Sequence, residues 1–520
     1  MSESRQIAKR TGLIGGLTLV SRISGLLRDA VIAFFFGTTA AADAFYMAFT
    51  IPNLLRRFVA EGALTISFIP IFTGELKRSR ETAKELSDQA FSYLTVLLIF
   101  LCSAGIFLSP WIVRLIAAGF TEDPEKFALT VRLTQLCFPY LLFVSLAALA
   151  MGLLNSLKKF GSPAAAPIFL NLGLIGGAAS SLWVDPPVYG LAFGVLAGGL
   201  LQLAVQLPDI RRAGFFPRFN FNVHPELKSL LGLMLPAAYG AAVYQLNVIV
   251  IRFFASYLET GAVSYLWYAN RLFEFPMGVF AIALATAIQP TLSDHAAENS
   301  WEKFKGTLNY GLRQNFLITI PAMAGLIVLA HPLVRVLLQR GAFDPAAAEA
   351  TAQAMIAFAV GLPFLGFVRL IVPAFYALKD SKAPVAAATI AVLVNVVLSW
   401  WWVQVWGHIG LALAVSASSF VNACALFLAM RKKIGRFGGR SVVRVFFQSS
   451  LAAAVMGLVL WWPQAKGWWL NAQDSFWLQG GQLLLAVAAG ILGFFMAARL
   501  IGCREVREIV RTMRRKEPLR

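Results

Sequence analysis

The chain is poor in charge, cysteine and histidine. Charged residues make up 14% of its 520 residues and hydrophobic residues 58%, whereas about a quarter of a soluble domain is charged. A soluble globular protein is therefore excluded, and the composition predicts an all-α polytopic membrane protein. Four cysteines and four histidines are scattered without any CxxC pair, so neither a disulfide framework nor a metal site is expected.

Motifs that mark common enzyme sites are missing as well. The sequence contains no Walker A loop, no HExxH and no GxSxG, which argues against ATP hydrolysis, zinc proteolysis and serine hydrolysis within this chain. We therefore expect no enzymatic activity, no cofactor and no metal.

Long apolar runs dominate what is present. Fourteen segments reach the length of about 17 to 25 residues that a membrane-spanning helix needs. They cover residues 11–36, 41–72, 87–118, 127–156, 163–183, 188–207, 230–257, 262–291, 306–338, 348–378, 384–403, 409–430, 443–462 and 476–501.

The net charge of +19 follows from the orientation of these spans. Nearly all Lys and Arg of the connections fall at the two termini and in every second connection, while the opposite connections hold Lys126, Arg340 and Lys466. The positive-inside rule then places both termini in the cytoplasm. Because orientation and anionic headgroups account for the basic residues, no nucleic-acid partner is predicted.

The second half repeats the first at an offset near 220 residues. YGLAFGV at 189–195 matches IGLALAV at 409–415, and SLKKFGSPAAA at 156–166 matches ALKDSKAPVAA at 377–387. An even number of spans per repeat makes the halves parallel, and such transporters bind substrate between the halves. We predict an N-lobe (1–207, spans 1–6), a cytoplasmic interfacial linker (208–229), a C-lobe (230–435, spans 7–12), and two extra spans with a basic cytoplasmic tail (436–520).

The first two spans carry charges that lipid does not tolerate. An ionised side chain at the bilayer centre costs about 2.5 to 3.5 kcal/mol on insertion scales. These side chains must therefore face one another, a water-filled cavity or the interface. They are Arg22, Arg28, Asp29, Asp43, Arg56, Arg57 and Glu61.

The second half concentrates its charges similarly. YANRLFEFPMG at 268–278 contains Arg271 and Glu274, while Arg252 lies in the preceding span and Arg369 in the tenth. Guanidiniums from both halves are suited to a diphosphate, because the planar fork binds phosphate oxygens in pairs. The alternative for Arg28, Asp29 and Arg271 is a purely structural ion pairing. Arg56, Arg57 and Glu61 could instead brace the cytoplasmic mouth.

The motifs in these spans resemble a known family. SRISGLLRDAVIAFFFG, DAFYMAFTIPNLLRRFVAEGALTISFIPIF and YANRLFEFPMG are similar to the MurJ (MviN) lipid II flippases of the MOP exporter superfamily, and the resemblance covers essentially the whole chain. It implies two six-helix lobes, with spans 13 and 14 lining a groove for an undecaprenyl tail. The implied substrate is undecaprenyl-diphospho-MurNAc-pentapeptide-GlcNAc, flipped from the inner to the outer leaflet by alternating access.

The resemblance also assigns residues. By motif position, a substrate-binding set and the residues Arg56, Arg57 and Glu61 fall where the family has functionally sensitive residues. We predict gating or structural roles for Arg56, Arg57 and Glu61 and, from their charges within apolar spans, for Arg252 and Arg369. The substrate-binding set comprises Arg22, Arg28, Asp29, Asp43, Arg271 and Glu274.

Two departures from the family pattern bear on mechanism. Many relatives have an aspartate where this chain has Asn270, and some bind sodium where this chain has the neutral residues Asn247, Asn395 and Ser399. We therefore expect no sodium site and expect the membrane potential to supply energy, about 2.3 kcal/mol per charge moved through 100 mV.

Rival functions remain open on sequence grounds. They are a flippase for another lipid-linked oligosaccharide, a MOP-type drug exporter, and a non-transporting cell-wall scaffold. Arg residues favour an anionic substrate over a cationic drug. The expected partners are lipid II, membrane lipids and the cell-wall synthesis machinery, and the expected state is a monomer in the bacterial inner membrane.

Overall fold

The computed structural model describes residues 3–56, 65–222, 224–226, 232, 245–278, 282–470 and 474–506. Within these residues the regular elements are helices. In chain order they are α1 (Glu3–Phe36), α2 (Ala40–Arg56), α3 (Thr65–Arg78), α4 (Arg80–Ile116), a 3₁₀ turn (Ala118–Glu122), α5 (Pro124–Cys137), α6 (Tyr140–Ser156), α7 (Gly161–Ser180), α8 (Tyr189–Ala204), α9 (Leu207–Arg212), α10 (Gln245–Ala255), α11 (Ala262–Pro276), α12 (Ile282–Ala297), α13 (Trp301–Val328), α14 (Ala330–Leu338), α15 (Pro345–Ala359), α16 (Leu362–Ala377), α17 (Lys382–Ile434), α18 (Gly439–Ala465) and α19 (Phe476–Leu500).

The all-helical membrane architecture predicted from the sequence is confirmed. Wherever they are described, the predicted spans fall mainly on one helix or on two consecutive helices. Eight of the described helical segments are long and apolar enough to cross a membrane, or nine if the bent pair α15 and α16 is one span. The count of fourteen spans stays a prediction.

The internal repeat is visible in the helix boundaries. Helices α4, α5 and α6 begin at Arg80, Pro124 and Tyr140, and α13, α15 and α16 begin at Trp301, Pro345 and Leu362. Each start in the second half lies 221 or 222 residues after its counterpart. The offset found in the sequence is therefore an offset between structural repeats.

Helices α7 and α8 pack backbone against backbone. A Cβ added to Gly177 would lie 2.4 Å from the carbonyl oxygen of Gly190, and one added to Gly194 would lie 2.5 Å from that of Gly173. Small residues permit this approach, which membrane helices use in place of a hydrophobic driving force. The abundance of glycine in spans 5 and 6 thus has a direct packing reason.

Helix α17 is two helical segments that meet at a sharp break. Gly407 has φ +54° and ψ −131°, a backbone conformation that side-chain-bearing residues rarely adopt. Near its two ends, Lys433 Nζ lies 2.6 Å from Asp380 Oδ2. The chain therefore folds back at Gly407, which agrees with the separately predicted spans 384–403 and 409–430.

The connection after α9 runs along the start of α4. The Arg218 N–H donates to Asp88 Oδ1 at 3.1 Å, and the hydroxyl of Tyr93 donates to the Phe221 carbonyl at 2.7 Å. The described part of the predicted linker is thus tied to α4 by hydrogen bonds that involve its backbone.

By compactness the chain divides into two units, which we describe separately. Unit 1 contains residues 1–264 and 340–344, and unit 2 contains residues 265–339 and 345–520. Unit 1 has an apolar core around Phe68, Phe72 and Leu98, and unit 2 has one around Phe304, Phe316 and Phe375. The lobe, linker and tail boundaries predicted from the sequence stay predictions.

Candidate functional site

Arg28 and Asp29 form a buried ion pair on α1. Both Nε and Nη2 of Arg28 donate to Asp29 Oδ1, at 2.9 and 2.7 Å. The two residues are 7% and 4% exposed. Burying a charge is costly unless it is paired and hydrogen-bonded, and this geometry meets that requirement.

Asn171 of α7 completes this network. Its Oδ1 accepts from Arg28 Nη1 at 3.0 Å, while its Nδ2 donates to the Ser21 carbonyl at 3.0 Å and to the Ser24 hydroxyl at 2.8 Å. The side chain is itself buried. Asn171 therefore orients the guanidinium and ties α7 to α1 in one contact.

Asp43, near the start of α2, is fully buried and accepts four hydrogen bonds. Its Oδ2 accepts from Lys126 Nζ at 3.0 Å and from the Gly261 N–H at 2.8 Å. Its Oδ1 accepts from the Ser264 N–H at 3.0 Å and from the Ser264 hydroxyl at 2.7 Å. Through these hydrogen bonds Asp43 connects α2, α5 and the first turn of α11. We call this set of contacts the Asp43 latch.

The geometry at Ser264 has a clear electrostatic basis. The first N–H groups of a helix have no partner within it and carry partial positive charge, and Asp43 supplies a carboxylate at that position. Lys126 adds a full positive charge, and its Nζ lies 4.2 Å from the centroid of the Phe120 ring. Arg252 donates to the Val263 carbonyl at 3.0 Å. The segment 261–264 is therefore held by a carboxylate and a guanidinium.

A second backbone contact in unit 1 depends on glycine. The Ala342 N–H donates to the Phe34 carbonyl at 2.8 Å. A Cβ on Gly37 would lie 2.1 Å from the Ala342 carbonyl oxygen, and one on Gly341 would lie 2.4 Å from the Phe34 carbonyl oxygen. Both glycines have positive φ. The segment Arg340–Asp344 thus seats directly on the end of α1.

In unit 2, Arg271 lies on α11 beside Glu274 and Trp267. Its Nη1 is 3.4 Å from Glu274 Oε2, and its guanidinium carbon is 5.1 Å from the centroid of the Trp267 ring. The Arg271 side chain is 31% exposed and that of Glu274 is 44% exposed. This pair is looser and more accessible than the pair formed by Arg28 and Asp29.

Three of the other candidate residues lie within the described part of the chain. Arg22 is partly exposed on α1 and makes no ion pair or hydrogen bond within the described part of the chain. Arg56 donates from Nε to Asn53 Oδ1 at 3.1 Å, and Arg369 is exposed on α16. Arg57 and Glu61 lie outside the described residues.

Sequence reasoning did not single out three partners of these charges as site residues. Asn171, Lys126 and Ser264 complete the two buried networks. Asn171 was visible as an amide inside an apolar span, and Lys126 as one of few basic residues on the predicted outer side. Ser264 carried no signal, because its contact with Asp43 depends on tertiary packing across 221 residues.

Metal-binding groups can be assessed over the described ranges. No group of three or more His, Cys, Asp or Glu is placed there to hold a metal ion. Asn395 and Ser399, at the positions where some relatives have a sodium site, are buried and hydrogen-bonded to each other at 3.2 Å.

The sequence matches one protein family along most of its length. A family model described as lipid II flippase MurJ matches residues 32–470. The lipid II flippase MurJ of Burkholderia cenocepacia is 37% identical over 460 residues, covering 86% of this chain and 88% of that protein. The probable lipid II flippase MurJ of Vibrio cholerae is 34% identical over 520 residues, covering 96% and 97%.

Solved structures lead to the same assignment. A structure of the lipid II flippase MurJ in an inward closed conformation is 26% identical, with a TM-score of 0.79, covering 96% of this chain and 99% of that one. A MATE transporter in a bent conformation has a TM-score of 0.58 at 14% identity, a likeness of fold alone. The chain therefore belongs to the lipid II flippase MurJ family.

Proposed function

We propose that this protein carries lipid II from the inner to the outer leaflet of the cytoplasmic membrane by alternating access. The buried Arg28 network carries this proposal, in a chain that matches the family over residues 32–470. A guanidinium buried in an apolar helical unit is expensive to maintain, and diphosphate recognition gives it a use. Flipping is transport and not catalysis, which fits a sequence without enzyme motifs.

Arg28 and Arg271 are the proposed diphosphate ligands. In the absence of cargo, Asp29 and Asn171 hold the Arg28 fork, and the more exposed Glu274 holds Arg271. A diphosphate presents several acceptors of higher charge, so it competes with these carboxylates for the guanidinium donors. Arg22, partly exposed one to two turns before Arg28, is the third proposed ligand.

Asp43 is better suited to a gate than to a ligand. Lys126 and Arg340 belong to predicted outer connections, and the contacts at Asp43 and at Gly37 close the corresponding end of unit 1. Opening toward the outside requires these hydrogen bonds to break.

The remaining assignments follow from the charge pattern and the family. We place both termini in the cytoplasm, and we propose that the protein works as a monomer next to the cell-wall synthesis machinery. Arg56, Arg57, Glu61, Arg252 and Arg369 are assigned gating or structural roles, which the Arg252 contact with Val263 supports.

The decisive experiment measures lipid II exposure at the outer leaflet. Cells depleted of their own flippase receive this chain, and a toxin that cleaves lipid II from outside reports exposure. We expect cleavage with the wild type and its loss with Arg28→Ala or Arg271→Ala at equal membrane levels. Arg271→Lys keeps the charge but loses the fork, so we expect intermediate cleavage.

A matched control separates site effects from general charge loss. Arg212→Ala removes an equivalent charge from a side chain that is 78% exposed, and we expect it to behave as the wild type. Full cleavage with Arg271→Ala would contradict the diphosphate clamp. No cleavage with a well-inserted wild type would favour another lipid-linked oligosaccharide as cargo, and normal growth with every site variant would favour the scaffold.

A further inference from the structure

A basic cavity in unit 2 lies apart from all the residues assigned above. It has a volume of about 110 Å³ and forms where α13, α18 and the turn after α19 meet. The residues that carry the argument are Arg313, Ser441, Arg444, Gln448, Arg504 and Glu505. Three guanidiniums and one carboxylate leave this cavity with a net positive charge.

The one carboxylate that lines the cavity, that of Glu505, already forms an ion pair. Arg313 Nη1 is hydrogen-bonded to Glu505 Oε1, and the Glu505 side chain is 5% exposed. The Nε of the same arginine is buried without any hydrogen-bond acceptor in the described part of the chain. Native proteins leave few buried polar groups unpaired, and each such group calls for an explanation.

Two further arginines bring uncompensated charge. Arg444 on α18 and Arg504 after α19 are exposed, and neither forms an ion pair with any residue that the structure describes. Gly502, with φ +85°, lets the chain turn at the end of α19 so that Arg504 lines the cavity. Three convergent guanidiniums, one of them with an unused buried donor, suit an oxyanion with several acceptor oxygens.

The surface next to this cavity is apolar. Exposed apolar side chains recur every four residues along α18 and α19, the two helices that reach the cavity. This is the spacing of residues on one face of a helix. The side chains are Val443, Phe447 and Leu451 on α18, and Leu492, Met496 and Leu500 on α19. A basic cavity at the head of an apolar helix face matches a molecule with an anionic head and acyl chains.

We propose that this cavity binds the phosphate headgroup of an anionic phospholipid. The acyl chains lie along the exposed faces of α18 and α19, and the phosphate oxygens accept hydrogen bonds from Arg313 Nε, Arg444 and Arg504. Basic pockets between membrane helices recognise anionic headgroups by this chemistry. The residues proposed for the headgroup lie outside the proposed diphosphate site. Helices α18 and α19, however, are the two extra spans for which the family resemblance implies a groove for an undecaprenyl tail.

Native mass spectrometry of the full chain in detergent tests the proposal without any cargo. The probes are phosphatidylglycerol and phosphatidylcholine with the same acyl chains. We expect phosphatidylglycerol to bind more tightly, and the Arg444→Gln/Arg504→Gln variant to weaken its binding about 30-fold, with about fivefold for each single substitution. Arg313 is left intact, because its removal would leave Glu505 buried without its partner.

The control is Arg431→Gln/Lys432→Gln, which removes two exposed charges on the same predicted side of the membrane. Neither of these residues lines the cavity. We expect this variant to bind phosphatidylglycerol as the wild type does. Equal binding by all variants, or equal binding of the two lipids, would overturn the proposal. Displacement of the lipid by millimolar inorganic phosphate would instead identify a site for free anions. Circular dichroism and gel filtration establish that each variant is folded, and the single variants serve if the double variant is not.

Discussion

At the scale of single residues, two buried charges of unit 1 have hydrogen-bond partners far along the chain. Asp43 and Lys126 are separated by 83 positions, and Arg28 and Asn171 by 143. Each charge is paired and hydrogen-bonded, as burial in a low-dielectric interior requires. The residues proposed to act in transport therefore also stabilise the fold, and substitutions must be designed to separate the two roles.

The Asp43 latch permits such a separation. Asp43→Ala leaves Lys126 buried without its partner, so we expect the unfolding free energy to fall by about 3–5 kcal/mol. In Asp43→Ala/Lys126→Met both charges are gone, and we expect a smaller loss than the losses of Asp43→Ala and Lys126→Met added together. Thermal unfolding of purified protein measures this coupling.

Strict additivity of the two single substitutions would show that the ion pair contributes nothing to the latch. The conservative variant Ser264→Ala is the matched comparison, because it removes one hydroxyl donor while the Ser264 N–H still reaches Asp43. We expect it to cost about 1 kcal/mol.

At the scale of elements, close helix packing depends on individual glycines. A Cβ at Gly177 would lie 2.4 Å from a backbone oxygen of α8, whereas one at the adjacent Gly176 meets nothing within 4 Å. We expect Gly177→Ala to destabilise the protein by about 1–3 kcal/mol through overpacking. Gly176→Ala should leave stability unchanged or slightly higher, because alanine favours helix.

The thermal unfolding midpoints of the Gly177→Ala and Gly176→Ala variants, measured under the same conditions, test the packing of α7 against α8. Equal midpoints would mean that α7 and α8 do not approach as closely as the structure shows. The two substitutions add the same methyl group to the same helix, so propensity alone cannot explain a difference.

The fold-back of α17 gives a prediction about pH. The hydrogen bond from Lys433 is the main cause that holds the pKa of Asp380 below its ordinary value, with help from the Ala383 N–H. A lowered pKa stabilises the fold above the unfolded-state pKa of about 3.9, and this contribution disappears as the pH falls through the folded-state value.

We therefore expect Lys433→Met to cost about 0.5 kcal/mol, as exposed ion pairs do, at any pH between about 5 and 8. The difference from the wild type should shrink below about pH 4. Unfolding of both proteins across this range is the measurement, and Lys432→Met, which removes a neighbouring exposed charge, is the control. A difference that grows in acid would contradict the assignment.

At the scale of the whole molecule, the predicted orientation can be tested by thiol labelling. The native cysteines Cys102, Cys137 and Cys503 are buried, and Cys424 is replaced by serine to remove background. Thr121 and Arg212 are exposed in connections predicted to lie on opposite sides. We expect a membrane-impermeant reagent to label Thr121→Cys in intact cells, and Arg212→Cys only after the cells are broken. The reverse pattern would invert the topology.

The candidate site could be predicted only in part. Arg28, Asp29, Asp43 and Arg271 were found because ionised residues in apolar spans stand out against their surroundings. Asn171 and Lys126 were visible but ambiguous, since an isolated amide or lysine has many possible partners. The substrate-binding role predicted for Asp43 stays a prediction, and the structure adds that its carboxylate accepts four hydrogen bonds from the protein itself.

The sequence by itself determined the helical membrane architecture, the internal repeat and the residues whose charges need explanation. These features follow from local composition and periodicity, which the bilayer makes unusually strict because backbone polar groups must be satisfied within each helix. Only the tertiary structure decided which charges pair, that Asp43 closes on the first turn of α11, and that Arg313, Arg444 and Arg504 converge. Those facts depend on contacts between residues distant in sequence, and no local pattern encodes such a distance.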